Sequence, residues 1–168
     1  MPSYMIKRLL IPVFAIISVY GKAQSEADQK KQDQYAALKA LLDSRQYSFI
    51  AQSATTMKGR AIQLNSGSYF LKLNQDSLEV DLPYYGRAHS AEYAGSSDMG
   101  ISLNTTDFTY TADSLKKDRW NITIKPKKNK VNAIYISVGT SGYTTVRINS
   151  NNRDPISFYG SIARNSSH

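Results

Sequence analysis

The acid–base chemistry open to this chain of 168 residues is narrow: it has 2 His, 13 Asp and Glu, and no Cys. His168 stands at the very end, where chains fray, which leaves His89 as the credible proton carrier or metal ligand. Glu92 and Asp98 lie near it in sequence, but the three lack the helical i, i+4 or tight spacing of transition-metal sites. A solvated loop histidine is the simpler account, and no metal is expected. A Ser-His-Asp arrangement would have to use His89, and no Gly-x-Ser-x-Gly elbow is present. Glu79 and Asp81 would project from one face of a strand and could serve a glycosidase or hold calcium. Their alternation with Leu78, Val80 and Leu82 places them instead on an ordinary wet face. There is no phosphate loop and no Gly-x-Gly-x-x-Gly, so no cofactor is expected.

Two segments point to binding rather than catalysis. Lys116, Lys117, Arg119, Lys125, Lys127, Lys128 and Lys130 flank and punctuate one strand. They could meet lipid headgroups or acidic polysaccharide, or simply keep a sheet edge or hairpin tip soluble. Leu82-Pro83-Tyr84-Tyr85-Gly86-Arg87-Ala88-His89 is less ordinary. Pro83 removes a ladder donor and pushes Leu82 towards extended geometry, while Gly86 permits a conformation other residues avoid. Tyrosine and arginine combine area with fixed polar groups, so Pro83, Tyr84, Tyr85, Gly86 and Arg87 form the candidate contact surface. The structural alternative, compatible with it, is a bulged corner whose tyrosines close one end of a core.

The elements that must position these residues are mostly strands. Tyr47, Phe49 and Ala51 alternate with polar neighbours, as do Tyr69, Leu71 and Leu73, then Leu78, Val80 and Leu82. Phe108 and Tyr110 follow, then Trp120, Ile122 and Ile124 against Arg119, Asn121, Thr123 and Lys125. Ile134, Ile136 and Val138, then Thr144, Val146 and Ile148, then Ile156, Phe158, Gly160 and Ile162 complete the series. One wet and one apolar face per strand is the mark of antiparallel sheets. Asn65-Ser66-Gly67, Asn74-Gln75-Asp76 and Gly139-Thr140-Ser141-Gly142 supply turns, and residues 126–130 and 149–154 supply longer polar loops. The expected fold is mainly β, an antiparallel sandwich or barrel of about eight or nine strands spanning 45–164, with 165–168 as a tail. Before it, Tyr35, Leu38, Leu41 and Leu42 make one apolar stripe, which predicts an amphipathic helix within 24–44, with Ser25 and Asp28 resembling its N-cap.

The N-terminus reads as a secretory leader. Lys7 and Arg8 precede an apolar run from Leu9 to Tyr20, and small residues follow at Gly21 and Ala23. Cleavage after Ala23 is expected; the run is short for a membrane span, so no transmembrane segment should remain. Loss of residues 1–23 removes Lys7, Arg8 and Lys22, lowering the formal net charge from +8 to +5. Export and that lower charge remove nucleic acid from contention. Without cysteine there is neither a disulfide framework nor a lipid-modified N-terminus, so a domain of this size must rest on its own core.

Three segments carry a family resemblance: Leu82-Pro83-Tyr84-Tyr85-Gly86-Arg87-Ala88, the Met99-Gly100-Ile101 turn into a strand, and Arg153-Asp154-Pro155-Ile156-Ser157-Phe158-Tyr159-Gly160-Ser161-Ile162. In these the chain resembles domain-of-unknown-function family 4251, exported envelope proteins of Bacteroidota, over roughly Gln46 to Ala163. The resemblance implies a source and a periplasmic or secreted location but no activity. Many members of such a family resemble lipoproteins; this chain lacks the cysteine and reads as a soluble variant. In such a source Asp76-Ser77-Leu78 and Asp113-Ser114-Leu115 resemble O-glycosylation sites. The functional expectation is a non-catalytic domain that binds an unidentified envelope partner through the Pro83–Arg87 corner. The alternatives are a barrel carrying a small apolar ligand or lipid, and a hydrolase using Glu79, Asp81, Glu92 or Asp98.

Overall fold

The structure, a computed structural model, describes residues 11–65, 67–87, 89, 100–114, 119–151 and 153–165; the side chains of 11–27 and 114 lie outside that description. One helix, α1 (Ile11–Ser44), is followed by ten strands: β1 (Gln46–Thr56), β2 (Ala61–Gln63), β3 (Phe70–Asn74), β4 (Ser77–Pro83), β5 (Gly100–Thr105), β6 (Phe108–Ser114), β7 (Arg119–Pro126), β8 (Val131–Gly139), β9 (Tyr143–Ser150) and β10 (Arg153–Arg164). α1 covers the expected helix and continues back to Ile11, so Ser25 lies inside it and is not an N-cap. Nothing in that stretch stops a helix, because Pro12 falls in the first turn, where its missing N–H is tolerated. The expected leader cleavage after Ala23 also falls within α1. No helix among the described residues is long and apolar enough to cross a membrane.

The chain divides into two compact units, residues 1–37 and 38–168. In the first, the described side chains from Asp28 to Ala37 are exposed, Tyr35 included, which shortens the expected apolar stripe. Leu38 and Leu42 are buried and Leu41 packs beside them, all three in the second unit.

In that second unit the strands form one antiparallel sheet, ordered β5-β4-β3-β1-β10-β9-β8-β7-β6, with the short β2 added to β1. β5 and β6 are thus the two edges of the path, yet only Thr106 and Asp107 separate them in sequence. Strands laid flat at about 4.8 Å would set those edges about 38 Å apart. A link of two residues spans only about 10 Å. The sheet therefore curls into a nearly closed barrel, which decides between the two expected architectures.

Eight successive antiparallel pairings leave β5 and β6 running in the same direction, so they act as one kinked run. The run pairs with β4 through its first half and with β7 through its second. The kink is stabilised by the Thr105 hydroxyl, which accepts the Asp107 N–H at 3.1 Å. It also changes which residues face inwards, from Ile101 and Leu103 in β5 to Phe108 and Tyr110 in β6. β2 has no buried residue and β5 alternates only two apolar residues, Ile101 and Leu103, which is why the sequence shows them poorly.

Alternate side chains from the long strands fill the interior: Tyr47, Phe49, Leu71, Leu73, Leu78, Val80, Ile122, Ile134, Val146 and Phe158 belong to one buried cluster. Gly160 is required there, because a Cβ would overlap the Ile50 carbonyl oxygen of the neighbouring strand. One end of the barrel is stopped by Leu38 and Leu42 from the last turns of α1. The chain leaves the helix through Arg45 (φ 53°), whose carbonyl accepts the Gln75 N–H of the β3–β4 turn at 2.7 Å.

Candidate functional site

The opposite end is built from the Pro83–Arg87 corner, the β7–β8 loop and the β9–β10 turn. Pro83 sits opposite Gly100 in the β4–β5 ladder and has no N–H to offer it. The Gly100 carbonyl is taken instead by Arg153 Nη1 at 2.8 Å. The same guanidinium lies over the Tyr84 ring, 4.8 Å from its centroid, a cation–π arrangement. Tyr84 Oη is 2.7 Å from the Arg87 carbonyl and 3.0 Å from that of Asp154, so its single proton serves one of two acceptors. The Asp154 N–H donates to the Arg87 carbonyl at 3.0 Å. Burial raises the Tyr84 pKa and the nearby Asp154 carboxylate raises it further, against a smaller opposing pull from Arg153, so the hydroxyl stays a donor.

The first and third segments that carry the family resemblance therefore meet in space and brace each other. Gly86 does not adopt a left-handed φ, contrary to expectation; it is needed for room, since a Cβ there would overlap the Tyr84 hydroxyl. The two tyrosines divide the roles. Tyr84 packs against the core as an anchor, while Tyr85 is 44% exposed and Arg87 is exposed beside it.

His89 Nε2 lies 2.7 Å from Asp154 Oδ1, an ion pair when the imidazole is protonated. Glu92 and Asp98 lie outside the described residues, and no metal-binding cluster occurs among the described ones. Glu79 and Asp81 are exposed on the outer face of β4, as their alternation required. Glu79 is paired across the ladder with Lys72, and Asp81 with Phe70. Of the two expected glycosylation motifs, Asp76 and Ser77 lie at the β3–β4 turn with Leu78 buried, whereas Leu115 lies outside the described residues.

The basic stretch does not form a single patch. Lys116 and Lys117 lie outside the described residues, and Arg119 and Lys125 are exposed on the outer face of β7, an inner strand of the path rather than an edge. Lys127 pairs with Asp107 at 2.9 Å. Lys128 and Lys130 line a cleft of about 420 Å³ together with Asn129, Val131, Gly100, Ile101, Ser102, Ser150 and Arg153. Sequence reasoning noticed these lysines but could not join them to Ser102, Ser150 or Arg153. That juxtaposition depends on barrel closure, which no local pattern encodes.

The family model described as "Domain of unknown function (DUF4251)" matches residues 29–162. Among solved structures the chain is similar to a DUF4251 family protein from Bacteroides eggerthii DSM 20697. The TM-score is 0.60 at 20% identity, covering 78% of this chain and 87% of that one. At that identity the likeness speaks for the fold alone. No curated protein matches the chain.

Proposed function

The chain belongs to the DUF4251 family, and on that premise we propose that it is an exported, non-catalytic binding domain whose contact surface is the Pro83–Arg87 corner. One observation carries the reading. Tyr84 uses both its ring and its hydroxyl to pin the corner onto Arg153 and Asp154, which leaves Tyr85 and Arg87 exposed on a fixed base. Exposed aromatic and guanidinium groups held in place lose little freedom on binding, the condition that makes such residues effective anchors.

The rival reading, an apolar ligand carried inside the barrel, has less in its favour. Side chains from eight of the ten described strands already pack into one interior cluster, and the cleft at the open end sets lysine, arginine, serine and asparagine around Ile101 and Val131. The hydrolase reading is weakened by the position of Glu79 and Asp81 on the solvated outer face of β4, away from that cleft.

The test is a photo-crosslinking residue at position 85 or 87, installed in the full chain in a bacterium that exports it. A discrete adduct is expected from the corner and none from position 79 on the outer face. The mature protein purified from the same cells should begin at Gln24. Equal labelling from all three positions, or none from any, would overturn the assignment of the corner.

A further inference from the structure

We infer that the cleft beside β5 is an oxyanion site, built to take a carboxylate, sulfate or phosphate carried on a small polar molecule. The inference goes beyond the corner reading and shares only Arg153 with it. Three cations line the cleft (Lys128, Lys130 and Arg153), and among the described residues no carboxylate does. Among the described residues, the acidic side chains that flank the cleft in sequence have cationic or ionisable partners of their own: Asp107 holds Lys127, and Asp154 meets His89. Lys128 makes no ion pair with any described residue.

The floor is apolar and buried, formed by Ile101 and Val131. Cations above a low-dielectric floor act on an entering anion more strongly than the same cations spread over a convex surface. Neutral hydrogen-bonding groups complete the lining: Ser102, Ser150 and Asn129. β5 adds backbone, because among the described residues it pairs with β4 alone and no strand pairs with its other side. Successive strand residues point their N–H groups to opposite sides, so either Ile101 or Ser102 directs an N–H away from β4.

The walls are also fixed before any ligand arrives. The Lys127 N–H donates to the Asp107 carbonyl at 2.9 Å, and the Asn151 N–H donates to the Lys130 carbonyl at 2.8 Å. Asn129 Oδ1 accepts the Val131 N–H at 3.1 Å, which tightens the loop around Lys128. Lys128 itself sits at φ 51°, a region a lysine rarely occupies without constraint. Arg153 bridges the other wall through its bond to the Gly100 carbonyl. A volume of about 420 Å³ lies at the lower end for ligand sites and suits a monosaccharide-sized molecule.

Amide NMR titrations of the folded domain with sodium phosphate, sodium sulfate, sodium glucuronate and glucose test the site. Saturable shifts are expected at Ser102, Lys128 to Val131 and Ser150 with the anions, and none with glucose. Preference for phosphate or sulfate would identify an inorganic or esterified anion, and preference for glucuronate an acidic sugar. Lys128→Ala with Lys130→Ala should weaken binding at least tenfold, whereas Tyr85→Ala with Arg87→Ala should leave it unchanged. Because both pairs of side chains are exposed, each variant should fold, and its amide spectrum will show whether it does. Shifts that never saturate, that spread equally to Lys72 and Lys125, or that glucose reproduces would overturn the inference. So would full affinity in the double lysine variant. Binding lost with the corner pair but kept in the lysine pair would separate failure here from success of the corner reading.

Discussion

The two ends of the barrel use the same contact to different effect. At the helix end the Arg45 guanidinium lies 4.4 Å from the centre of the Tyr110 ring; at the far end Arg153 lies 4.8 Å from that of Tyr84. Around Tyr110 the neighbours are largely apolar: Leu38 and Leu42 are buried, the fully buried Tyr47 brings its hydroxyl to 3.5 Å from that of Tyr110, and only a small cleft of about 170 Å³ remains beside Leu42, Arg45 and Trp120. Around Tyr84 the partners are polar backbone, the carbonyls of Arg87 and Asp154, and the adjoining cleft is lined by lysines. An arginine over a tyrosine therefore marks neither a closed nor an open end. What differs is the next shell of residues: buried leucines from the last turns of α1 at one end, polar backbone and lysines at the other.

The sharpest way to separate the ends is to loosen the plug. Leu42→Ala should cost about 3 kcal/mol, the transfer energy of the lost atoms plus the cavity left behind. Urea denaturation would read it as a lower midpoint with an unchanged slope. Phosphate titration at the cleft should be unaffected in the folded variant. A cost under about 1 kcal/mol would mean that the last turns of α1 cover the barrel without sealing it.

A smaller effect should come from the two arginines, and it should be unequal. Arg153→Ala removes a bond to a backbone carbonyl as well as the ring contact, for a loss of about 1–2 kcal/mol. Arg45 is exposed and its ring contact is screened by water, so Arg45→Ala should cost about 0.5 kcal/mol. Equal losses in parallel denaturation experiments would show that the Gly100 carbonyl bond adds nothing.

How far these ends could be read beforehand follows the same division. Strands whose apolar residues alternate over three or more positions, such as Trp120-Ile122-Ile124 and Ile134-Ile136-Val138, announce both their type and their inward face. β2 has three residues and none of them buried, so it offers no pattern to find. The corner was legible as a proline, two tyrosines and a glycine, but not which tyrosine turns inwards; that depends on Arg153 and Asp154, about seventy residues later. The cleft was hidden for the same reason. Lys128 meets Ser102 only once β5 and β6 have brought the two edges of the sheet together, and closure of that kind leaves no periodic trace.

The smallest effect at neutral pH becomes the most discriminating one in alkali. Burial raises the Tyr47 pKa far above the ordinary tyrosine value near 10, and the neighbouring Tyr110 raises it further, with Arg45 opposing. Tyr110 is raised as well, by burial first. Folding thus favours the neutral phenols. Their contribution is fully present below the unfolded pKa and is lost as the pH rises past about 10, where the unfolded chain ionises and the folded one resists. Stability measured by urea should be flat to about pH 9.5 and then fall. Tyr47→Phe keeps the ring, gives up only a long hydroxyl contact, and should change stability by under about 1 kcal/mol at pH 7. It should, however, remove a visible part of the alkaline fall. Tyr84 is only partly buried and its rise is smaller, so Tyr84→Phe should leave that fall nearly intact while weakening the corner slightly. If the two phenylalanine variants lost the alkaline limb equally, the two ends would be equally wet, and the contrast between an apolar and a polar end would not stand.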